Sequence, residues 1–251
     1  MLRALLLLLA LSLPAQAEEV VAGLSQNRIS ITTNFDGSEI LIFGAVKRES
    51  PIPDDAPLEV IITVAGPSAP VVVRRKDRRF GIWINVESAE VDHAPSFYAV
   101  ATTAPWADVL RDTDDLRHKI SVRRAIRAVG VASMVEDVDA FTDALVRIRE
   151  SRDLFQTNIG TVEFNEATLF NTAIRLPANL TEGAYATRFF LTRNGEVIDV
   201  HETVIDVQKV GLERFLFNLS REQPLIYGLL SLAIAIAAGW SASAFFRYIR
   251  G

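Results

Sequence analysis

The chain has no cysteine among its 251 residues. That excludes disulfides, thiol nucleophiles, CxxC redox chemistry, cysteine-bearing zinc sites and lipoprotein attachment through an N-terminal cysteine. A domain of this size buries enough apolar surface to stand without disulfide staples. Histidine is scarce: His93, His118 and His201 lie in three different segments. HExxH, Walker A, GxSxG and Ser-x-x-Lys patterns are all missing, so no catalytic, cofactor or metal residue is assigned. Charge is also missing from one long stretch, because no charged residue falls between Glu222 and Arg247.

That uncharged stretch, Leu225 to Phe246, is almost wholly apolar or small. A bilayer core roughly 30 Å thick needs about 20 apolar residues to span it as a helix, and this stretch is long enough. A buried core helix would carry a polar stripe toward water, and none is visible. Tyr227 near one end and Phe245, Phe246 and Tyr248 near the other read as an aromatic belt. Arg247 and Arg250 follow, and the positive-inside tendency puts them in the cytoplasm. At the other end Met1-Leu2-Arg3 precedes the apolar run Ala4–Leu13 and the A-x-A ending Ala15-Gln16-Ala17. These are the parts of a secretory signal peptide, too short to anchor. Cleavage after Ala17 would leave Glu18 first; an uncleaved anchor is the rival reading. Both ends imply the same topology: the long middle of the chain outside the cytoplasm and the C-terminus inside it.

Between the two ends lie about two hundred residues. Setting aside Arg3, Arg247 and Arg250 leaves 23 of the 26 basic residues against all 31 acidic ones, a formal charge of about −8. A surface of that sign disfavours nucleic acid as a partner.

From Arg28 to Thr103 the pattern is that of strands. Ile29, Ile31 and Thr33 alternate with polar neighbours, Asp36-Gly37 makes a turn, and Ile40–Phe43 begins another strand. After the Pro51–Pro57 loop, further strands are expected at Leu58–Val64, Val71–Val73, Gly81–Val86 and Phe97–Ala101. Helical periodicity then takes over at Trp106–Ala128 and Asp139–Phe155, where Phe141, Leu145 and Ile148 share a face and Asp137 or Asp139 caps the start. Strands return over Thr161–Val210. There Asn194-Gly195, suited to a type I′ turn, joins Ala184–Arg193 to Glu196–Val207. The fold class is therefore mainly β: an Ig-like β-sandwich-type region with a helical insert in β-α-β order, plus one C-terminal transmembrane helix. The divisions are 1–17 signal peptide, 18–104 β-rich, 105–157 helical, 158–222 β-rich, 223–247 transmembrane helix and 248–251 cytoplasmic tail. One sandwich with a helical insert, or two small β units flanking a helical linker, both satisfy this order.

Several strings carry a family resemblance. They are Gly81-Ile82-Trp83-Ile84-Asn85, Ser96-Phe97-Tyr98-Ala99-Val100, Leu176-Pro177-Ala178-Asn179 with Gly183-Ala184-Tyr185, and Lys209-Val210-Gly211-Leu212-Glu213-Arg214. Tyr227-Gly228 and Gly239-Trp240 within the apolar stretch belong to the same pattern. Over nearly the whole mature chain the sequence resembles the alpha-proteobacterial conserved transmembrane protein family, a family of unknown function. The resemblance implies a periplasmic domain on an inner-membrane anchor, with an accessory role beside a sulfite- or sulfonate-exporter-like transporter. It carries over no catalytic residue.

Two groups of residues remain as candidate contacts. Arg74, Arg75, Lys76, Arg78 and Arg79 place five positive charges in six residues. The simple reading is an exposed hairpin tip kept soluble; the sharper one is contact with an anion or a lipid headgroup. Within the apolar stretch, Ser231, Ala235, Gly239 and Ser243 fall at i+4 steps, a spacing that lets two helix backbones approach closely. Asp112–Asp115 resembles a calcium loop but has Arg117 and Arg123 where that loop needs glycine and glutamate, so a solvated helix start is expected. Asn179-Leu180-Thr181 and Asn218-Leu219-Ser220 match glycosylation sequons, which a bacterial chain has no use for. The expected function is a non-enzymatic accessory or interaction module partnered by the bilayer, by an integral membrane protein or by a second copy through the span. A periplasmic anion- or ligand-binding sensory domain is the alternative, and an enzyme with a non-obvious site the third reading.

Overall fold

The computed structural model describes residues 18–32, 35–48, 57–128, 138–166, 168–210 and 212–250. The expected signal peptide at 1–17, residues 51–56 of the proline-rich loop, Thr33 and the capping alternative Asp137 lie outside them. The strands are β1 (Glu19–Leu24), β2 (Arg28–Ile31), β3 (Ser38–Lys47), β4 (Leu58–Ala65), β5 (Ser68–Arg79), β6 (Ile82–Pro95) and β7 (Tyr98–Thr102). After the helical segment come β8 (Phe155–Asn158), β9 (Glu163–Asn165), β10 (Leu169–Leu176), β11 (Gly183–Arg193) and β12 (Glu196–Lys209). They form a four-stranded sheet β1-β3-β10-β9, a six-stranded sheet β2-β12-β11-β4-β7-β8, and a separate two-stranded ribbon β5-β6.

Strands from before and after the helical segment share both large sheets: β3 pairs with β10, and β4 with β11. The strands on either side of the helices therefore build one sandwich. Asp36-Gly37 does not close a hairpin, because β2 and β3 belong to different sheets. The Asn194-Gly195 turn does, with both residues at positive φ (51° and 76°), as a type I′ turn requires.

Period-two alternation divides the six-stranded sheet into two buried faces. Ile62 lies beside Phe189, and this face meets the other sheet through the Phe170–Phe189 ring pair at 6.0 Å. Ile61 lies beside Phe190 on the opposite face, where both join a second core with Val109, Ile120, Phe141 and Leu145 from the helices. Burial on both faces explains why the middle of β4, Val60-Ile61-Ile62, is apolar at consecutive positions rather than alternating.

The helices are α1 (Trp106–Val109), α2 (Asp112–His118), α3 (Val122–Ala125) and α4 (Val138–Glu150). They form the crossover that joins the parallel neighbours β7 and β8, a pairing a tight turn cannot make. Trp106–Ala128 is thus broken into three short pieces, not one helix. Lys119 adopts the left-handed conformation (φ 54°) and ends α2. Asp115 then holds the departing chain, accepting from the Ile120 N–H at 3.0 Å, the Ser121 N–H at 2.7 Å and the Ser121 hydroxyl at 2.7 Å. The expected helix start is present at Asp112, and Asp112 and Thr113 are solvated; Asp114 and Asp115 are instead buried, and the carboxylate of Asp115 is a structural staple.

A second unit comprises Ser30–Phe35 and Gln208–Gly251. Its two helices are α5 (Leu212–Glu222) and α6 (Pro224–Arg250). Helix α5 occupies the end of the stretch expected to be β-rich. Pro224 suits the first position of α6, where its missing N–H has no intrahelical partner to lose. At about 1.5 Å per residue α6 is roughly 40 Å long, more than a bilayer core.

Candidate functional site

The β5–β6 ribbon places the basic run. Its register sets Arg79 opposite Ile82, Arg78 opposite Trp83, Asp77 opposite Ile84 and Lys76 opposite Asn85. Phe80 (φ 51°) and Gly81 (φ 85°) make the turn, so Arg74 to Arg79 lie on one strand approaching an exposed hairpin tip. Two of the five cations have carboxylate partners: Arg75 with Glu87 at 2.7 Å and Arg79 with Asp77 at 3.6 Å. Among the described residues the side chains of Arg74, Lys76 and Arg78 have none; the Arg78 guanidinium donates instead to the Gly81 carbonyl at 3.4 Å. Next to the turn the opposite strand is apolar over Ile82, Trp83 and Ile84, and Phe80, Ile82 and Trp83 are exposed by 106%, 65% and 67%. Each apolar rung therefore faces a charged one across the ribbon.

A second cationic feature escaped the sequence reading. An open cleft of about 600 Å³ lies where the helical layer meets the base of the ribbon. His93, Lys119, Arg123, Arg124, Arg127 and Arg188 line it, with Asp139 as the one carboxylate among the described residues. Reciprocal backbone bonds between His93 and Arg127 (3.1 and 2.9 Å) fix the helical layer to β6 at this point. Arg123 pairs with Asp139 at 2.7 Å and also with Asp143. Arg188 donates to the carbonyls of His118 (2.8 Å) and Lys119 (3.3 Å) and lies over the Phe190 ring. Among the described residues Lys119, Arg124 and Arg127 have no carboxylate partner, and cations outnumber carboxylates along the cleft's described lining. Tyr98 closes its floor, donating to the Ile120 carbonyl at 2.8 Å. Burial pushes the Tyr98 hydroxyl up to about 12, despite the opposing pull of Arg188.

The three histidines do not converge. His93 lines the cleft, His118 packs edge-on to Phe190 at 5.8 Å, and His201 packs against Phe189 at 5.9 Å. Among the described residues no group of three His, Asp or Glu side chains is placed to hold a metal.

The remaining candidate surface is α6. From Pro224 to Ser243 it is long and apolar enough to cross a membrane, and the rest of the chain buries none of that stretch. Ser231, Ala235, Gly239 and Ser243 lie along it, and a Cβ added at Gly239 would meet nothing within 4 Å. An apolar helix of this length without protein cover needs lipid or another helix around it. Residues 19–248 match the family described as "Putative transmembrane protein (Alph_Pro_TM)". The chain belongs to this family. No curated protein matches it. Membership fits α6 as a membrane-spanning segment and covers both the sandwich and the span.

Sequence spacing alone could have flagged Arg123-Arg124 and Arg127 as a basic group. It could not have brought them to His93 and Arg188, because that juxtaposition depends on β6 and β11 flanking the crossover helices.

Proposed function

We propose that this family member is an exported, single-span inner-membrane protein whose β-sandwich stands in the periplasm as a non-enzymatic interaction module. Its signal peptide would be residues 1–17, and Arg247 and Arg250 would hold the C-terminal end in the cytoplasm. Its partner would be an integral membrane protein, a transporter of the sulfite- or sulfonate-exporter-like class that the resemblance implies. The observation that carries this reading is α6, an apolar helix left uncovered by its own chain. The row Ser231, Ala235, Gly239 and Ser243 is the face on which a second helix could pack closely.

Two experiments test it. The chain has no cysteine, so a single Ala178→Cys reports orientation by reaction with a membrane-impermeant maleimide in intact cells whose outer membrane has been permeabilised. Labelling there is expected, and protection until the inner membrane is lysed would reverse the topology. Purification of the full chain in mild detergent should recover one stoichiometric integral membrane protein, released by Gly239→Leu. Recovery of the chain alone, unchanged by that substitution, would count against the partner.

The cleft favours a second reading, a site for a small anion. Sulfate at fixed ionic strength should then raise the melting temperature of the full chain. The rise should vanish in Arg124→Ala/Arg127→Ala; an equal rise in both proteins would remove the cleft from consideration.

A further inference from the structure

The β5–β6 ribbon stands outside both large sheets, its two strands pairing with each other, and β6 is bridged to the helical segment at its base through His93 and Arg127. Twelve residues of β5 at about 3.3 Å each make it roughly 40 Å long. A two-stranded ribbon of that length is marginal alone in water. Its base is held, because Val73, Ala89, Val91 and Ala94 are buried in the second core. From Arg74 outward the burial ceases, and the side chains are those least suited to a free tip.

Phe80, Ile82 and Trp83 expose most of their surface to water at the point farthest from the core. Solubility alone would place polar residues there. The cations do not dilute this patch at random: Arg79 and Arg78 sit directly across from Ile82 and Trp83. Aromatic and apolar side chains at an extremity, backed within one or two rungs by arginines, match the layering of a bilayer surface. Rings enter the interfacial zone, while guanidinium groups remain at the phosphates. Arg74, Lys76 and Arg78, without carboxylate partners among the described residues, are the charges available to anionic headgroups. The rest of the exported part is acidic in sum, and its other cationic feature, the cleft, lies at the base of the ribbon and not at its tip.

We propose that the ribbon tip, Phe80, Ile82 and Trp83 with Arg74, Lys76 and Arg78, is a second membrane contact that docks on the anionic headgroup surface of a bilayer. The α6 tether keeps a bilayer close to the domain, so a weak contact suffices. The inference rests on the membrane tether and not on the transporter reading.

The test uses the full chain carrying Phe80→Cys, labelled with an environment-sensitive fluorophore; no other thiol competes. The chain is placed in nanodiscs of phosphatidylcholine alone or with about one third phosphatidylglycerol, and co-elution with the discs verifies the tether. The expected result is a blue shift and several-fold brightening in the anionic discs only. Both should be reversed by high salt and lost in Arg74→Glu/Lys76→Glu/Arg78→Glu, whose melting temperature and circular dichroism check folding. A probe that remains aqueous in both discs, in a chain that does co-elute, overturns the proposal and leaves the tether standing. An equal shift in both discs overturns it too, since anionic headgroups would then play no part.

Discussion

Asp115 grips Ser121 twice, once at the backbone N–H and once at the hydroxyl, each at 2.7 Å. With the third bond to the Ile120 N–H, one buried carboxylate satisfies the chain leaving α2. Asp115→Ala would leave two amide donors without a partner, at about 1–3 kcal/mol each. A fall in melting temperature of at least about 5 °C is expected, larger than for Ser121→Ala. Equal effects from the two substitutions would show that the hydroxyl contact dominates instead.

Glu18 lies between two arginines, with Arg48 at 3.0 Å and Arg193 at 2.7 Å, and its side chain is only 10% exposed. Removing the carboxylate leaves two guanidinium groups facing each other in a poorly hydrated place. Glu18→Gln should cost about 3 kcal/mol, and Glu18→Gln/Arg48→Met less than the sum of the two single changes. Denaturant unfolding of all the variants gives the coupling; strict additivity would contradict it.

Tyr98 makes stability fall in alkali. Its folded pKa, about 12, exceeds the unfolded value near 10. The contribution is therefore complete below about pH 10 and is lost as pH rises through the window from 10 to 12. Tyr185, also pushed up by burial, acts in the same direction. Melting temperature should decline across that window in the parent chain and less steeply in Tyr98→Phe. At neutral pH Tyr98→Phe should itself cost about 1 kcal/mol for the lost bond to the Ile120 carbonyl. Unchanged alkaline slopes would mean that other groups govern the decline.

Gly44 admits the ring of its cross-strand partner Phe170. A Cβ there would lie 2.3 Å from the ring and 2.8 Å from the Val21 carbonyl oxygen. Gly44→Ala is therefore expected to destabilise by about 1–3 kcal/mol, although alanine ordinarily suits a strand better than glycine. Phe170→Leu in the same chain should relieve part of that loss, measured as a less than additive change in unfolding free energy.

What was legible in the sequence follows from where local chemistry and tertiary structure agree. Asn194-Gly195 defined its hairpin because the turn type depends on the two residues themselves. Phe141 and Leu145 revealed α4 because its buried face is a helical stripe. The strand continuing through Arg74–Arg79 was hidden, since cross-strand pairing sustains it and both its faces meet water. The fracture of Trp106–Ala128 was hidden as well, because it depends on one carboxylate reaching six residues ahead. The cleft was least legible of all: His93, Arg127 and Arg188 become neighbours only when the crossover lies down on the six-stranded sheet.

The interleaving of the two large sheets also sets an order of events during synthesis. β3 can pair with β1 at once but finds its second partner only when β10 exists, and β4 remains half-paired until β11 arrives. Early strands therefore emerge as unprotected edges, the kind that attract proteases and other chains. Long-range pairing of this sort is slow to complete. The sandwich cannot close until almost all of it has been made, and α5 and α6 follow directly behind its last strand. A nascent chain of this protein is thus most in need of a chaperone just before its apolar helix appears.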